Sequence, residues 1–357
     1  MHRLLICGIL GYRRANAAPV RAVCRKEWLH IGHKGGREPL RFGADGVFRL
    51  LMLSDIQESA AYDPRSLRSV CALLDEAKPD LAVWGGDNCF GPEMRSLDDV
   101  KRFLDVFAAP MAERGIPWTH VFGNHDHDVP GDPRKHQALY EACPLHVSGI
   151  TDNTIHGITN FLLPVYDHTG HRPVFHVWGL DSNNRADGMD GFLPGGDMTA
   201  AAKLPRNPLG VGQWSPVYFD QLMWYWNTSC RQEQLFGEKI PGLLCMHIAP
   251  HEFAMAQANP ELCVKNGQFS EELDAAAFNS GLFSAVLQRG DIRTVSCGHT
   301  HRNDFEAEYC GIRLCWDGCA GYRCYGTDEL RGGRLFTVRE DDPWHITTRM
   351  IHTAPLL

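Results

Sequence analysis

The chain predicts an α/β fold in which short parallel strands alternate with helices and a functional site gathers at the strand C-termini. Three observations lead there. Apolar runs alternate with stretches of helical periodicity over residues 47–122. Several of these runs end abruptly at Asp, Asn or His within a polar motif, which is where open α/β sheets bind ligands. At 357 residues and 44% hydrophobic content the chain is long enough to bury a sizeable core.

The elements follow in order. Residues 1–40 are basic and rich in Gly, have no clear period, and read as an N-terminal extension. From Gly46 the texture changes. Val47 to Leu53 is an apolar strand ending at Ser54-Asp55, and Pro64 to Ala77 follows with helical spacing at Leu67, Val70, Leu73 and Leu74 before Pro79 stops it. Leu81 to Trp84 is a second strand that runs straight into Gly85-Gly86-Asp87. Ser96 and Asp99 have the spacing of a capping box for a helix carrying Val100, Phe103, Leu104 and Phe107. Ile116 to Phe122 is a third strand, ending at Gly123-Asn124. Strand, helix, strand, helix, strand implies parallel units with right-handed crossovers.

The second half is less regular. Thr159 to Val165 and Val174 to Leu180 form a hairpin about Tyr166-Asp167-His168-Thr169-Gly170. Ser182 to Gly212 is a long stretch rich in Gly, Asn, Asp and Pro, a length that points to a functional loop containing Asn183, Asn184 and Arg185. Pro216 to Cys230 resumes as a helix bearing Phe219, Leu222, Met223 and Trp226. Strands Leu243 to Ile248 and Ile292 to Cys297 come next, with a Phe278 to Leu287 helix before the second. One domain over residues 41–345 and a C-terminal tail over 346–357 account for the rest.

Composition narrows the function. A net charge of -8 argues against a nucleic-acid partner, although an acidic protein binds phosphate where metal ions supply the positive charge. No run approaches the roughly 20 apolar residues of a membrane span. Thirteen cysteines without a C-x-x-C pair fit reduced thiols in the cytoplasm. Leu4 to Leu10 with Ala15-Asn16-Ala17 has a faint likeness to a secretory leader, interrupted by Arg13-Arg14. Cys310, Cys315, Cys319 and Cys324 lack the spacing of a zinc knuckle and read as small buried hydrophobes.

Five motifs carry chemistry: Ser54-Asp55-Ile56-Gln57, Gly85-Gly86-Asp87-Asn88, Gly123-Asn124-His125-Asp126, Met246-His247 and Gly298-His299-Thr300-His301. Together they read as a two-metal hydrolytic site. Two ions held about 3.5–4 Å apart need a shared carboxylate, for which Asp87 is the candidate. His299 and His301, at a turn after a strand, can each reach a different ion, and His247 comes from a neighbouring strand end. Asn124 offers a neutral amide oxygen, His125 a proton for a leaving-group oxygen, and Asp126 a carboxylate to fix the tautomer of a nearby histidine.

In this order the motifs resemble the calcineurin-like metallophosphoesterase superfamily, whose pattern is D-x-H, G-D, G-N-H-D/E, a later His and G-H-x-H. The likeness covers roughly residues 40–340 and is nearest the compact branch related to purple acid phosphatases, through Leu40-Arg41-Phe42, Trp214-Ser215-Pro216, His247-Ile248-Ala249-Pro250 and Cys297 to Asp304. The resemblance implies a central β-sandwich of mixed sheets flanked by helices. It implies two divalent or trivalent ions (Fe, Mn or Zn), the first held by Asp55, Asp87 and His301, the second by Asp87, Asn124, His247 and His299. Gln57 stands where the first ion's histidine is expected, an uncharged and weaker ligand. Phe90 stands where some purple enzymes carry a tyrosine. A small phosphomonoester or phosphodiester is the implied substrate.

Overall fold

A computed structural model describes residues 38–185, 214–276 and 279–357. The strands are β1 (Val47–Leu53), β2 (Leu81–Gly85), β3 (Trp118–Val121), β4 (Phe161–Tyr166), β5 (Pro173–Gly179), β6 (Gly242–Cys245), β7 (Val264–Asn266), β8 (Ile292–Cys297), β9 (Glu306–Tyr309), β10 (Ile312–Trp316), β11 (Gly332–Arg339) and β12 (Asp342–His352). The principal helices are α1 (Pro64–Ala77), α2 (Leu97–Phe107), α3 (Pro133–Glu141), α4 (Phe219–Phe236) and α5 (Leu282–Arg289).

The strands form two sheets. A five-stranded sheet has the order β12-β11-β1-β2-β3, and a seven-stranded sheet the order β4-β5-β6-β8-β10-β9-β7. Both are mixed. β1, β2 and β3 run parallel, as do β5, β6, β8 and β10, while β4, β7, β9, β11 and β12 pair antiparallel. Alternation along β1 explains the layering, because side chains two apart share a face. Phe48, Leu50 and Met52 point between the sheets with Leu81, Val83, Val177, Leu243 and Phe336. Leu51 and Leu53 point outward with Trp84 and Trp118, onto Leu73 and Leu74 of α1 and Phe103 and Phe107 of α2. On the second sheet, Trp178 of β5 meets Trp224 and Tyr225 of α4 edge-on. The architecture is therefore two mixed sheets flanked by helices, as the resemblance implied.

Helix α1 carries its start and stop signals locally. Asp63 caps it by accepting from Arg65 N, Pro64 opens it, and Lys78 ends it in the left-handed region. Other expectations need correction. Ser96 precedes α2 but its hydroxyl makes no capping bond, because Asp99 instead accepts from Arg95 N at 2.9 Å and pairs with Arg102. On α4 the buried face runs through Gln221, Leu222, Trp224, Tyr225, Ser229 and Gln232, and Phe219 is 74% exposed. The apolar periodicity there misplaced the face because a buried polar network, with Ser229 and Tyr225 bonded to Asp291, occupies it. The domain boundary drawn at 345 falls inside β12, whose residues 346–352 continue the pairing with β11. Of the extension over 1–40, residues 1–37 lie outside the described residues, and Leu40 packs between the sheets.

Candidate metal centre

Each motif follows the C-terminal end of a parallel strand: β1, β2 and β3 of the first sheet, β6 and β8 of the second. The two sheets face each other, so five separate stretches of chain deliver their polar residues to one rim. The turns are tight. Asp55, Gln57, Asp87 and His299 all have positive φ, at 55°, 47°, 47° and 82°. Non-glycine residues in this region cost of order 1 kcal/mol or more each and cluster at functional sites. Backbone bonds hold the turns together, Asp55 N donating to Gly86 O and Gln57 N to Asp87 O.

Two glycines allow the close approach. A Cβ on Gly86, at φ +92°, would sit 2.6 Å from the His247 ring. A Cβ on Gly298 would lie 1.8 Å from Ser54 Oγ and 2.5 Å from Asp55 Oδ2. These glycines are required by the close approach of His247, Ser54 and Asp55 and not merely by the turn.

The side chains are aimed inward by their outer bonds. Asp55 Oδ2 accepts from Ser54 Oγ at 2.6 Å and His299 N at 3.0 Å, leaving Oδ1 for the centre. Asp87 Oδ1 accepts from His125 N at 2.7 Å. The Nδ1 of His247 faces Gly85 O at 3.0 Å and that of His301 faces Tyr325 O at 2.7 Å, which directs both Nε2 atoms inward. His247 Nε2 lies 3.2 Å from Asp87 Oδ2 and 3.9 Å from Asp55 Oδ1, and His301 Nε2 lies 3.1 Å from Asp55 Oδ1. Asp87, His247 and His299 bring ligand atoms within 4.8 Å of one another.

Four of these atoms are buried without a hydrogen-bond partner: Asp55 Oδ1, Asn124 Oδ1, His247 Nε2 and His299 Nδ1. The short approaches of the two Nε2 atoms to carboxylate oxygens are contacts of charge, since neither Asp55 Oδ1 nor His247 Nε2 has a bond of acceptable direction. Proteins usually satisfy their buried polar atoms, so orphans on His247 and His299 beside Asp87, with Asp55 Oδ1 3.9 Å from His247 Nε2, fit a cation among them. The electrostatics agree. Burial raises Asp55 and Asp87, but the histidine charges, His247 foremost, outweigh it and hold both carboxyls below the ordinary range. Burial opposes charge on His247, yet Asp87 and Asp55 raise it to about 9, while burial and His247 push His299 down to about 3. Two buried carboxylates thus demand positive charge, which protons on histidine supply here and an ion would replace.

Two assigned residues, Asp126 and Gln57, have partners that the sequence did not suggest. The carboxylate oxygens of Asp126 accept from the backbone of Asn88, Cys89 and Gly123, tying the turn after β2 to the turn after β3, with a ring nitrogen of His136 within 4.8 Å. Burial lifts it to about 6. Gln57 directs Nε2 to Asp87 Oδ2 at 3.0 Å, so its amide donates where an imidazole would ligate, and a ligand role requires the oxygen to turn inward. His125 stands at the open edge, its Nε2 4.0 Å from Asp87 Oδ2, and its ring is oriented by Asp128. Burial opposes charge on His125, but Asp128 and Asp87 raise it overall.

His127 and Asp128, the next residues along, both have partners. Asp128 Oδ2 lies 3.1 Å from His125 Nδ1, and His127 Nε2 lies 3.0 Å from Oδ1 of the fully buried Asp181. A signal for Asp181 existed: it follows an apolar strand directly, as Asp55 does. The long loop begins and ends at the site. Asn184 Nδ2 reaches Asp128 Oδ1 at 3.4 Å, Arg185 lies over the Trp214 ring, and Trp214 meets His299 edge-on at 4.9 Å. Residues 186–212 of that loop lie outside the described residues. Arg323 pairs with Glu93 and donates to Ala61 O, and Arg302 lies over Tyr325.

Two facing mixed sheets with acid, amide and imidazole groups converging on strand ends define a metal-binding phosphoesterase fold. Residues 48–303 match the calcineurin-like phosphoesterase family, and the chain belongs to it. It is similar to the Arabidopsis thaliana protein named probable inactive purple acid phosphatase 14, at 31% identity over 82% of this chain and 75% of the plant protein. It is also similar to phosphatase DCR2 of Saccharomyces cerevisiae, at 26% identity over 76% of this chain and 46% of the yeast protein. In fold it resembles a dimetal phosphatase from Danio rerio, with a TM-score of 0.54 at 14% identity over 86% of this chain and 99% of the other.

Proposed function

We propose that this protein hydrolyses small phosphomonoesters or phosphodiesters at a two-ion centre built from Asp55, Asp87, Asn124, His247, His299 and His301. The observation that carries the reading is the convergence of Asp87, His247 and His299 within 4.8 Å, with unpartnered atoms on both histidines and on Asp55 Oδ1 beside them. Asp87 is the shared carboxylate. Asp55 and His301 complete one side, and Asn124, His247 and His299 the other. When bound, such a pair of ions activates water and neutralises charge on the phosphoryl oxygens, and Fe, Mn and Zn all suit a histidine and carboxylate set. His125, raised toward its charged form and held by Asp128, gives its proton to the departing oxygen.

A second reading is favoured by Gln57, whose amide nitrogen faces Asp87. With Phe90 in place of a tyrosine as well, the side bearing Asp55 and His301 is short of a ligand, and the protein is a metal-binding scaffold of weak activity. The plant relative's name accords with this alternative. Hydrolysis of p-nitrophenyl phosphate and its bis-ester, with and without chelator, separates the two. Chelator-sensitive turnover that is lost in Asp87→Ala supports the enzyme, and bound metal without turnover supports the scaffold.

Among the described residues no helix is long and apolar enough to cross a membrane, and no two cysteines are joined. A reducing, cytoplasmic setting and no nucleic-acid partner complete the proposal.

A further inference from the structure

The cysteine cluster singled out in the sequence separates in space. Cys310 is exposed and Cys315 is buried on β10, whereas Cys319 and Cys324 come together on the loop that follows β10. Their sulfurs and a ring nitrogen of His301 lie within 4.8 Å of one another. The guanidinium of Arg331 lies against both, Nη1 standing 3.2 Å from Cys319 Sγ and 3.7 Å from Cys324 Sγ. A metal held by these three groups would face that buried positive charge. A guanidinium instead stabilises a thiolate, the form in which sulfur attacks.

The loop is fastened to the metal centre. Ala320 N donates to Ser54 O at 2.8 Å and Gly321 N to Asp55 O at 3.1 Å. Cys324 Sγ lies 3.8 Å from Asp55 O, and the next residue, Tyr325, accepts from His301 Nδ1 and stacks on its ring at 4.0 Å.

We propose that Cys319 and Cys324 are an oxidation site, forming a reversible disulfide that disturbs the Asp55 and His301 side of the centre. The oxidant is a peroxide. Cys324, the partly exposed member, attacks one peroxide oxygen; the O–O bond breaks, the far oxygen leaves as hydroxide, and Cys324 becomes a sulfenic acid. The sulfur of buried Cys319 then displaces that hydroxyl and the S–S bond forms. Two electrons pass from the sulfurs to the peroxide, and the two thiol protons complete two waters. Drawing Cys324 toward Cys319 moves Tyr325 and with it His301. This coupling rests on the ligand roles proposed above, while the disulfide itself does not.

Arg323 lies between the two cysteines, so trypsin places them in separate peptides, 314–323 and 324–331. The reduced full-length protein is treated with hydrogen peroxide, alkylated, digested without reductant and mapped by mass spectrometry, with exposed Cys310 reporting that the oxidant acted. The expected result is that the two peptides are joined, that dithiothreitol releases them, that Cys315→Ser keeps the link, and that Cys319→Ser and Cys324→Ser each lose it. Oxidised Cys310 beside unlinked, alkylated Cys319 and Cys324 overturns the proposal. So does a bound ion in the reduced wild type that both Cys319→Ser and Cys324→Ser lack, since the cluster is then a metal site. Metal content before and after oxidation tests the coupling separately: loss of an ion, restored by dithiothreitol and metal, is expected, and unchanged content overturns that half alone.

Discussion

The carboxylate of Asp128 stands 3.1 Å from Nδ1 of His125, three residues earlier in the same short turn, and leaves Nε2 of that ring turned toward Asp87. The relationship assigns Asp128 to orienting the histidine that the proposed reaction uses as an acid. His125→Ala is expected to lower kcat by about 100-fold or more with metal content unchanged. Asp128→Asn is expected to lower it by about 10-fold. Because Asp128 raises the histidine, its loss lowers that pKa, so the protonated acid disappears at lower pH and the alkaline limb of the kcat profile moves down. An unshifted limb in Asp128→Asn denies it the orienting role.

Gln57 supplies an amide nitrogen where a ligand is expected. Gln57→His should tighten the ion on the Asp55 and His301 side by about tenfold, about 1.4 kcal/mol. Metal titration by calorimetry checks this, and equal affinity in the two proteins makes the asymmetry only apparent.

Gly86→Ala places a methyl against the His247 ring at a backbone position with φ +92°. Overpacking of this kind costs about 1–3 kcal/mol, and here it displaces a proposed ligand. Denaturant melts should show both a loss of stability and a smaller stabilisation by added metal. Gly46→Ala, with φ +70° and nothing within 4 Å, isolates the backbone strain.

His176 on β5 is buried, its Nε2 has no partner, and burial pushes it down to about 3. The unfolded chain, with an ordinary pKa near 6.5, therefore binds more protons than the folded one between about pH 6.5 and 3. Stability is full above that window and falls as the pH drops through it. From pH 7 to pH 5.5 the contribution of this residue is a loss of about 1 kcal/mol. His176→Phe should reduce the acid sensitivity of the denaturation midpoint by that amount, and an identical pH dependence would count against a neutral His176.

Much of the fold was legible because its signals are local. The α1 helix carries its own cap, opening proline and stop, and β8 is bounded as its apolar run suggests. The second half of β12 resembles a tail in sequence because it lies at a sheet edge, where few of its side chains need be apolar: only Ile346 and Ile351 are buried. Helix α4 misled for the opposite reason, since polar residues form its buried side.

By itself the sequence determined the strand-ending motifs, and hence which residue types meet at the rim, because a polar group directly after an apolar strand has few other places to go. Tertiary structure alone decided how those groups are partnered. Asp126 was taken by backbone amides, Asp128 by His125 and Asp181 by His127, across separations of up to 54 residues. The joining of Cys319, Cys324 and Arg331 beside Asp55 belongs to the same category. Hydrogen-bond direction and charge depend on distances that chain order does not encode, and packing the two sheets face to face sets those distances.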